Sequence, residues 1–128
     1  MVRPGGMLIV CDDFLTRRAP PAAQRVLDQF RRGWHVNTLI AGEALNDLAA
    51  TAGFEHLWTR DLTAWLELGR PRDRAFRAIA PLLRLLPRVS PRLANVSGGA
   101  ALQIALARGW IRYEFAVFAR RESFISTR

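Results

Sequence analysis

The segment that most constrains the fold is Met7–Cys11, a continuous apolar run near the start of the chain. It is bounded by Pro4-Gly5-Gly6 on one side and by Asp12-Asp13 on the other. An apolar run without alternation predicts a strand that is buried on both faces, as in the centre of a parallel α/β sheet. We therefore expect Met7–Cys11 to be a central strand, in which Cys11, the sole cysteine, is a buried and inert thiol.

Four further segments have the apolar spacing and the glycine or proline ends that are typical of helices. They are Ala22–Arg32, Gly42–Ala52, Pro71–Leu86 and Ser97–Arg108. In the second helix Leu45, Leu48, Ala49 and Ala52 are expected to share the buried side, and Gly53 to end it in a left-handed conformation. Ser97 is expected to cap the last helix. Gly98-Gly99 would then either cradle an anion at the helix start or form a tight turn.

Two more strands complete the pattern, namely Phe54–Leu62 and Ile111–Ala119, the latter with regular alternation. Strands and helices that alternate along the chain predict an α/β protein. Three strands are few for a sheet whose first member looks central. We therefore expect either a second molecule to cover that strand or the chain to be the second half of a larger unit.

Composition narrows the class of protein. A chain of 128 residues that is half apolar corresponds to one domain or part of one. All 19 basic residues are arginines, scattered along the chain, so the net charge of +8 reflects a GC-rich coding composition, and we expect no nucleic-acid partner. A basic nucleic-acid binder is kept as an alternative. Without a membrane-spanning run or a signal-like start, we expect a soluble cytoplasmic protein with no membrane partner.

Few residues are candidates for a functional site. The sequence lacks a glycine-rich phosphate loop, a Cys/His metal spacing and a nucleophile elbow, so no residue is assigned to catalysis, to a cofactor or to a metal. Asp12 and Asp13 follow a buried strand, where ligands bind in α/β sheets, although aspartates there also simply end strands. His35, which follows Trp34, is a candidate substrate contact or a surface histidine. These four residues form the predicted substrate site.

The other aromatic and histidine residues have simpler interpretations. Trp58 and Trp110 border strands and are expected in the core, and His56 is expected to be structural. Trp65, like Trp34, lies between strands, where it could line an apolar pocket for a small molecule or contribute to packing.

Three motifs in order resemble class I S-adenosylmethionine-dependent methyltransferases. Arg3-Pro4-Gly5-Gly6 with the strand that follows looks like the start of the family's fifth strand. Ala52-Gly53-Phe54 is similar to the junction before the sixth strand, and Asp61-Leu62-Thr63 to the "D-x-T" after it in small-molecule members. Ile111–Arg120 resembles the closing antiparallel strand.

The resemblance implies the C-terminal half of a Rossmann-like methyltransferase fold. The expected sheet is three-stranded and mixed, with helical insertions, and its last strand is antiparallel and central. The implied activity is methylation of a small organic molecule, with S-adenosylmethionine as cofactor. The family's cofactor-binding strands have no counterpart in this sequence, so we expect no cofactor-binding residue here. The expected partners are a small-molecule acceptor and either a homodimer mate or a complementing upstream half. The alternative is a non-catalytic half-domain that docks on a partner chain.

Overall fold

The structure is a computed structural model that describes residues 2–17, 19–67 and 91–121, with positions 70, 71, 74, 75 and 78. Its main elements, in chain order, are β1 (Met7–Leu15), α1 (Gln24–Gly33), α2 (Gly42–Thr51), β2 (Phe54–Asp61), α3 (Pro91–Ala107) and β3 (Ile111–Arg120). Short 3-10 helices lie at Pro21–Ala23 and Thr63–Trp65. Most of the helix predicted at Pro71–Leu86 lies outside the described residues. The predicted alternation of strands and helices is confirmed.

The sheet has the order β1-β3-β2, and β3 is antiparallel to both neighbours. Met7 lies opposite Ala119 at one end of the β1–β3 pair, and Leu15 lies opposite Ile111 at the other. The expected central, antiparallel position of the last strand is therefore confirmed. The expectation of a mixed sheet is wrong for these residues. β1 and β2 share a direction but are separated by β3, so both pairs of neighbouring strands in the sheet are antiparallel.

Strand β1 is longer than the sequence predicted. It continues through Asp12 and Asp13 to Leu15, because β3 pairs with it over this whole length. The two aspartates therefore lie inside the strand and not just past its end. Since successive strand residues point to opposite faces, Asp12 and Asp13 are directed to different sides of the sheet.

One side of the sheet packs against α2, and we call it the covered face. Its apolar members come from all three strands and from α2, and the central one, Phe118, is fully buried. They are Val2, Leu8, Val10, Leu45, Ala49, Phe54, Ala116 and Phe118. Gly53 has φ +83°, so the predicted left-handed end of the helix is confirmed. Leu48 and Ala52 face solvent, contrary to prediction, because the helix contacts the sheet mainly through Leu45 and Ala49.

The opposite side is the open face, formed by Met7, Ile9, Cys11, Trp58, Phe115 and Val117. Met7 is 64% exposed, Ile9 56% and Trp58 49%, and the Cys11 thiol is exposed as well. The predictions of a strand buried on both faces, of a buried Cys11 and of a core Trp58 are therefore wrong. The physical reason is that the described helices contact this side only at its end, around Leu15 and Ile111.

A second core joins α1 and α3. Leu27 and Phe30 of α1 pack with apolar residues of α3. The helices meet at Gly33 and Gly98, where a Cβ on Gly33 would lie 2.5 Å from the Gly98 Cα. The predicted start of the last helix was wrong. α3 begins at Pro91, so Ser97 lies inside it and its hydroxyl donates to the Ala94 carbonyl at 3.1 Å.

The Gly98-Gly99 pair consequently lies within α3 and not at a helix start. Trp34 packs over it, because its ring atoms would lie 2.8 Å from a Cβ on Gly98 and 3.7 Å from one on Gly99. The small residues therefore serve the close contact between α1 and α3, and the anion cradle considered from the sequence is excluded. None of the helices in the described part of the chain is long and apolar enough to cross a membrane.

Candidate functional site

A cleft of about 440 Å³ lies on the covered face, where β1 ends and α2 begins. It is lined by the end of β1, the first residues of α2 and the facing side chains of β2 and β3, namely Phe14, Leu15, Thr16, Arg17, Ala41, Gly42, Glu43, Leu45, Asn46, His56, Thr59, Arg112, Glu114 and Ala116. The volume is in the range of small-molecule sites, and the location is close to the carboxyl ends of the two parallel-running strands. We take this cleft as the candidate site.

An irregularity in β2 gives the cleft two of its polar residues. The register of β2 shifts between His56 and Trp58, so that Leu57 is an extra residue opposite β3. In a regular strand His56 and Thr59 would point to opposite faces, whereas here both face the cleft. The His56 Nε2 and Thr59 Oγ1 atoms lie 2.7 Å apart. The His56 ring also packs edge-on against Phe118, with ring centroids 5.4 Å apart.

Glu114 lies in the middle strand, at the floor of the cleft. Its register partners are Asp12 on β1 and Asp61 on β2. Loss of water around the half-buried side chain, and then the Asp61 carboxylate, raise the pKa of Glu114, while Arg112 acts to lower it. One Glu114 carboxylate oxygen lies next to Gly42, because a Cβ added there would be 3.0 Å from it.

Asp61 is held by its own turn. Its carboxylate accepts the Thr63 backbone N–H at 2.8 Å and lies 3.4 Å from the Arg112 Nε. Partial burial acts to raise the pKa of Asp61, but the hydrogen bonds from Thr63 and the Arg112 charge outweigh it and lower the pKa. The Thr63 hydroxyl in turn accepts the Tyr113 N–H at 2.9 Å.

The three family-like motifs thus have structural roles at the ends of β3. Asp61-Leu62-Thr63 ties the end of β2 to Arg112 and Tyr113. Gly5 has φ +73° and donates to the Arg120 carbonyl at 3.2 Å, and Gly6 accepts the Arg120 N–H at 2.8 Å. Gly53, of the Ala-Gly-Phe junction, accepts the Arg121 N–H at 3.0 Å. The motifs therefore fix how β1 and β2 enter or leave the sheet.

The entrance to the cleft carries an ion pair. Arg17 Nη2 donates to Glu43 Oε2 at 2.7 Å, and both side chains are largely exposed. An exposed pair of this kind contributes little to stability. It does, however, neutralise these two charges at the cleft entrance.

The predicted substrate residues Asp12 and Asp13 are not among the residues that line the cleft. Asp12 accepts the N–H of Asp13 at 2.8 Å, whereas Asp13 lies on the other side of the sheet, opposite Tyr113. Burial, and then the Asp12 carboxylate, raise the pKa of Asp13 to about 6. The neighbouring Cys11 thiol, then burial and the charges of both aspartates, raise the pKa of Tyr113. Asp13, Tyr113 and Cys11 therefore form one polar group beside the open face.

The other two predicted substrate residues, Trp34 and His35, lie in the turn after α1. The Trp34 indole N–H donates to the Asn95 carbonyl at 3.1 Å and its ring packs edge-on against Phe30, so this tryptophan joins α1 to α3. His35 has φ +54° and lines a separate surface hollow with Asp28, Arg31, Arg32, Val36 and Asn37. The structure does not bring these two residues together with Asp12 and Asp13.

Trp65 and Trp110 are also not in positions expected of residues that line an apolar pocket. Trp65 is 74% exposed, and the Arg60 guanidinium lies 6.0 Å from the centre of its ring. Trp110 is partly buried against the core between α1 and α3, as expected.

Sequence reasoning missed Glu114, Arg112 and Thr59 and treated His56 as structural. One signal for the first two was present in β3. Its alternation puts Arg112, Glu114, Ala116 and Phe118 on one face, so this face changes from charged to apolar along the strand. Such a change indicates that the helix covers only the apolar part and leaves a cleft over the charged part. The bulge at Leu57 leaves no comparable signal.

One glycine of each pair, Gly6 and Gly98, is closely packed by the chain itself. A Cβ on Gly6 would meet Val2 at 2.8 Å, and Gly98 is filled by Gly33 and Trp34. Within the described ranges, no group of three or more His, Cys, Asp or Glu side chains is arranged to hold a metal ion.

No protein-family model matches the chain, and no curated protein matches it either. The functional inference consequently depends on the residues and on the fold.

Proposed function

We propose that this chain is the C-terminal, acceptor-side half of a class I S-adenosylmethionine-dependent methyltransferase that acts on a small organic molecule. The observation that carries the proposal is the sheet order, in which β3 lies between β1 and β2 and is antiparallel to both. This arrangement is the one that the three motifs imply for the last three strands of the family. A simple meander of three consecutive strands would instead place β2 in the middle.

The candidate cleft supports the acceptor-side assignment. It lies near the carboxyl ends of β1 and β2, the edge of an α/β sheet at which ligands bind. Its lining combines apolar side chains with polar and charged ones that can orient a small molecule. A methyl acceptor needs above all to be positioned, since orientation supplies much of the rate of such reactions.

The glycine turns in the described part of the chain do not fit S-adenosylmethionine. The Pro4-Gly5-Gly6 turn is tied to Arg120, and the Gly98-Gly99 pair is packed under Trp34. In this proposal the cofactor is held by residues outside this sequence. The free edge of β1 is suited to such a complement. Apart from one parallel bridge between Leu15 and Ala41, none of the described residues pairs with it there.

Calorimetry tests this proposal. The purified chain is expected to bind no S-adenosylmethionine at micromolar concentrations. The same chain, produced with the polypeptide encoded in frame directly upstream, is expected to bind one equivalent. Micromolar binding to the isolated chain would overturn the assignment of this half of the fold. An upstream frame without a glycine-rich strand–turn–helix would overturn the proposed enzyme.

A second candidate is a non-catalytic half-domain that docks on a separate partner chain. The exposed side chains of Met7, Ile9 and Trp58 favour it, since apolar patches of this kind commonly mark interaction sites. Co-purification with a cofactor-binding subunit, in a complex that transfers no methyl group, would support this alternative over the first. A chain that stays monomeric and co-purifies with no other protein would remove its basis.

A further inference from the structure

The charged groups around the candidate cleft are not equally paired. Arg17 pairs with Glu43 at 2.7 Å, and Arg112 lies 3.4 Å from Asp61. His56 contacts Thr59. For Glu114, by contrast, the described part of the chain provides neither a hydrogen bond nor an ion pair within 4 Å. The unpaired charge in the cleft, which is the one available to a ligand, is therefore negative.

The position of Glu114 beside the start of α2 favours its charged form, against the burial that raises its pKa. One of its oxygens lies beside Gly42, the first residue of α2. The positive end of the helix dipole favours an anion at this place, and the Glu114 carboxylate of the chain itself is that anion. The helix terminus is thus already matched with a carboxylate, which makes the cleft a poor site for an anionic ligand. A carboxylate can accept several hydrogen bonds, so Glu114 keeps acceptor capacity on the cleft side.

Apolar side chains line part of the cleft. Phe14, Leu45 and Ala116 lie there together with Glu114, and Phe14 and Ala116 are buried members of the covered face's strands. A ligand that satisfies this part of the lining needs an apolar body and a hydrogen-bond donor at one end. A positively charged donor gains more than a neutral one, because the attraction between opposite charges adds to the hydrogen bond.

We propose that the cleft binds a small organic ammonium ion, with its nitrogen donating to Glu114 and its apolar part against Phe14, Leu45 and Ala116. The inference rests on the proposed function only where it makes this amine the methyl acceptor. In that case the ammonium nitrogen first gives a proton to the Glu114 carboxylate, and its freed lone pair then takes the methyl group from the cofactor's sulfonium, which leaves as the neutral thioether. Binding itself requires no cofactor and no second half. The ligand class is opposite to what the net charge of +8 suggests, because the local charge at the cleft is set by Glu114 and not by the scattered arginines.

Three probes of similar shape and different charge test the ligand class on the unmodified chain. They are 2-phenylethylamine, the neutral 2-phenylethanol and the anionic 3-phenylpropionate. We expect the amine to bind at least about tenfold more tightly than the alcohol, because the attraction between its charge and the Glu114 carboxylate adds to the hydrogen bond, and the carboxylate not to bind. Chemical-shift changes in a nitrogen–proton correlation spectrum give both affinity and location. Equal affinity for amine and alcohol would overturn the proposal, as would shifts confined to residues outside the cleft.

A pair of variants separates the local charge from the overall charge. Glu114→Gln is expected to lower the amine affinity to that of the alcohol. Glu55→Gln makes the same change in net charge on β2, at an exposed position on the other side of the sheet, and is expected to leave the affinity unchanged. Equal loss in both variants would contradict a local role for Glu114. If the amine binds but the reconstituted pair binds no cofactor, the methyltransferase proposal is refuted and this inference stands. If the reconstituted pair binds the cofactor but the chain binds no amine, this inference is refuted and the methyltransferase proposal stands.

Discussion

The two faces of the sheet carry similar side chains in different surroundings. On the covered face, Phe118 is fully buried under α2. On the open face, three positions away in the same strand, Phe115 stacks on Trp58, with ring centroids 5.5 Å apart, and Trp58 itself is 49% exposed. Both faces are apolar enough to be cores. An apolar strand face therefore indicates a surface that other elements can pack against. Whether that face is buried depends on whether such elements are present.

The largest expected effect comes from truncating one phenylalanine on each face. Phe118→Ala is expected to lower the free energy of unfolding by about 3–5 kcal/mol, since it leaves a cavity under α2. Phe115→Ala is expected to cost only about 1–2 kcal/mol, from partial burial and the lost ring contact. Urea unfolding followed by circular dichroism measures both. Equal costs would show that the open face is as well packed as the covered one.

The elements of the fold could be predicted from the sequence, whereas the burial of their faces could not. Periodicity predicted β2, β3 and α2 to within a residue or two, because these elements contact their neighbours through their own regular pattern. Glycines at positions 53 and 109, both with positive φ, marked two helix ends correctly. The errors on Cys11 and Trp58 have one cause. Burial is a property of the surroundings of a residue, and an apolar run does not say what covers it.

The candidate site was harder to predict than the fold. Asp12 and Asp13 were assigned together because they are adjacent in sequence, yet strand geometry separates them to two faces. The His56–Thr59 contact depends on the extra residue at Leu57, and Glu114 becomes important through its neighbours Asp61 and Gly42. These features depend on the register between neighbouring strands, which the sequence of a single strand does not show.

A smaller effect, and one with a pH signature, is expected at Asp13 beside the open face. Its pKa is raised from 3.8 to about 6, so the folded chain holds this proton more tightly than the unfolded chain. The contribution of Asp13 to the free energy of unfolding therefore falls as pH rises from about 4 through about 6. Asp13→Asn removes the penalty and is expected to stabilise the fold at pH 7 by about 1–2 kcal/mol, after discounting for solvent screening.

The pH profile is the measurement that distinguishes this cause from a change in packing. The difference between Asp13→Asn and the unmodified chain should vanish below about pH 4, where the aspartate is protonated in both states. Asp47→Asn, on the exposed side of α2, makes the same charge change and serves as the control. A stabilisation by Asp13→Asn that is equal at pH 4 and pH 7 would contradict burial of a charge as the reason.

Association is expected to respond to the open face alone. Ile9→Lys places a charge on the exposed apolar patch of the open face, in the edge strand β1, where a lysine opposes association through this face. We expect it to weaken self-association of the isolated chain by about tenfold or more, measured by analytical ultracentrifugation, with little change in stability. Leu48→Lys alters a residue that is 61% exposed on α2, away from this face, and should leave association unchanged. An unmodified chain that is monomeric at every concentration would show that the edge needs no partner.

The smallest change reports directly on whether the open face is covered. Cys11 is exposed and is the sole cysteine, so a small disulfide reagent gives a signal from this position only. In dilute solution we expect the native chain to react within roughly tenfold of the urea-unfolded rate, because access and thiolate content limit thiol reactivity. The rate should fall as the concentration of the unmodified chain rises, since association brings a second layer over Met7, Ile9 and Cys11. In Ile9→Lys it should stay constant over the same range. Strong protection in both proteins at every concentration would mean that residues of the same chain cover Cys11, and the distinction between the two faces would then be lost.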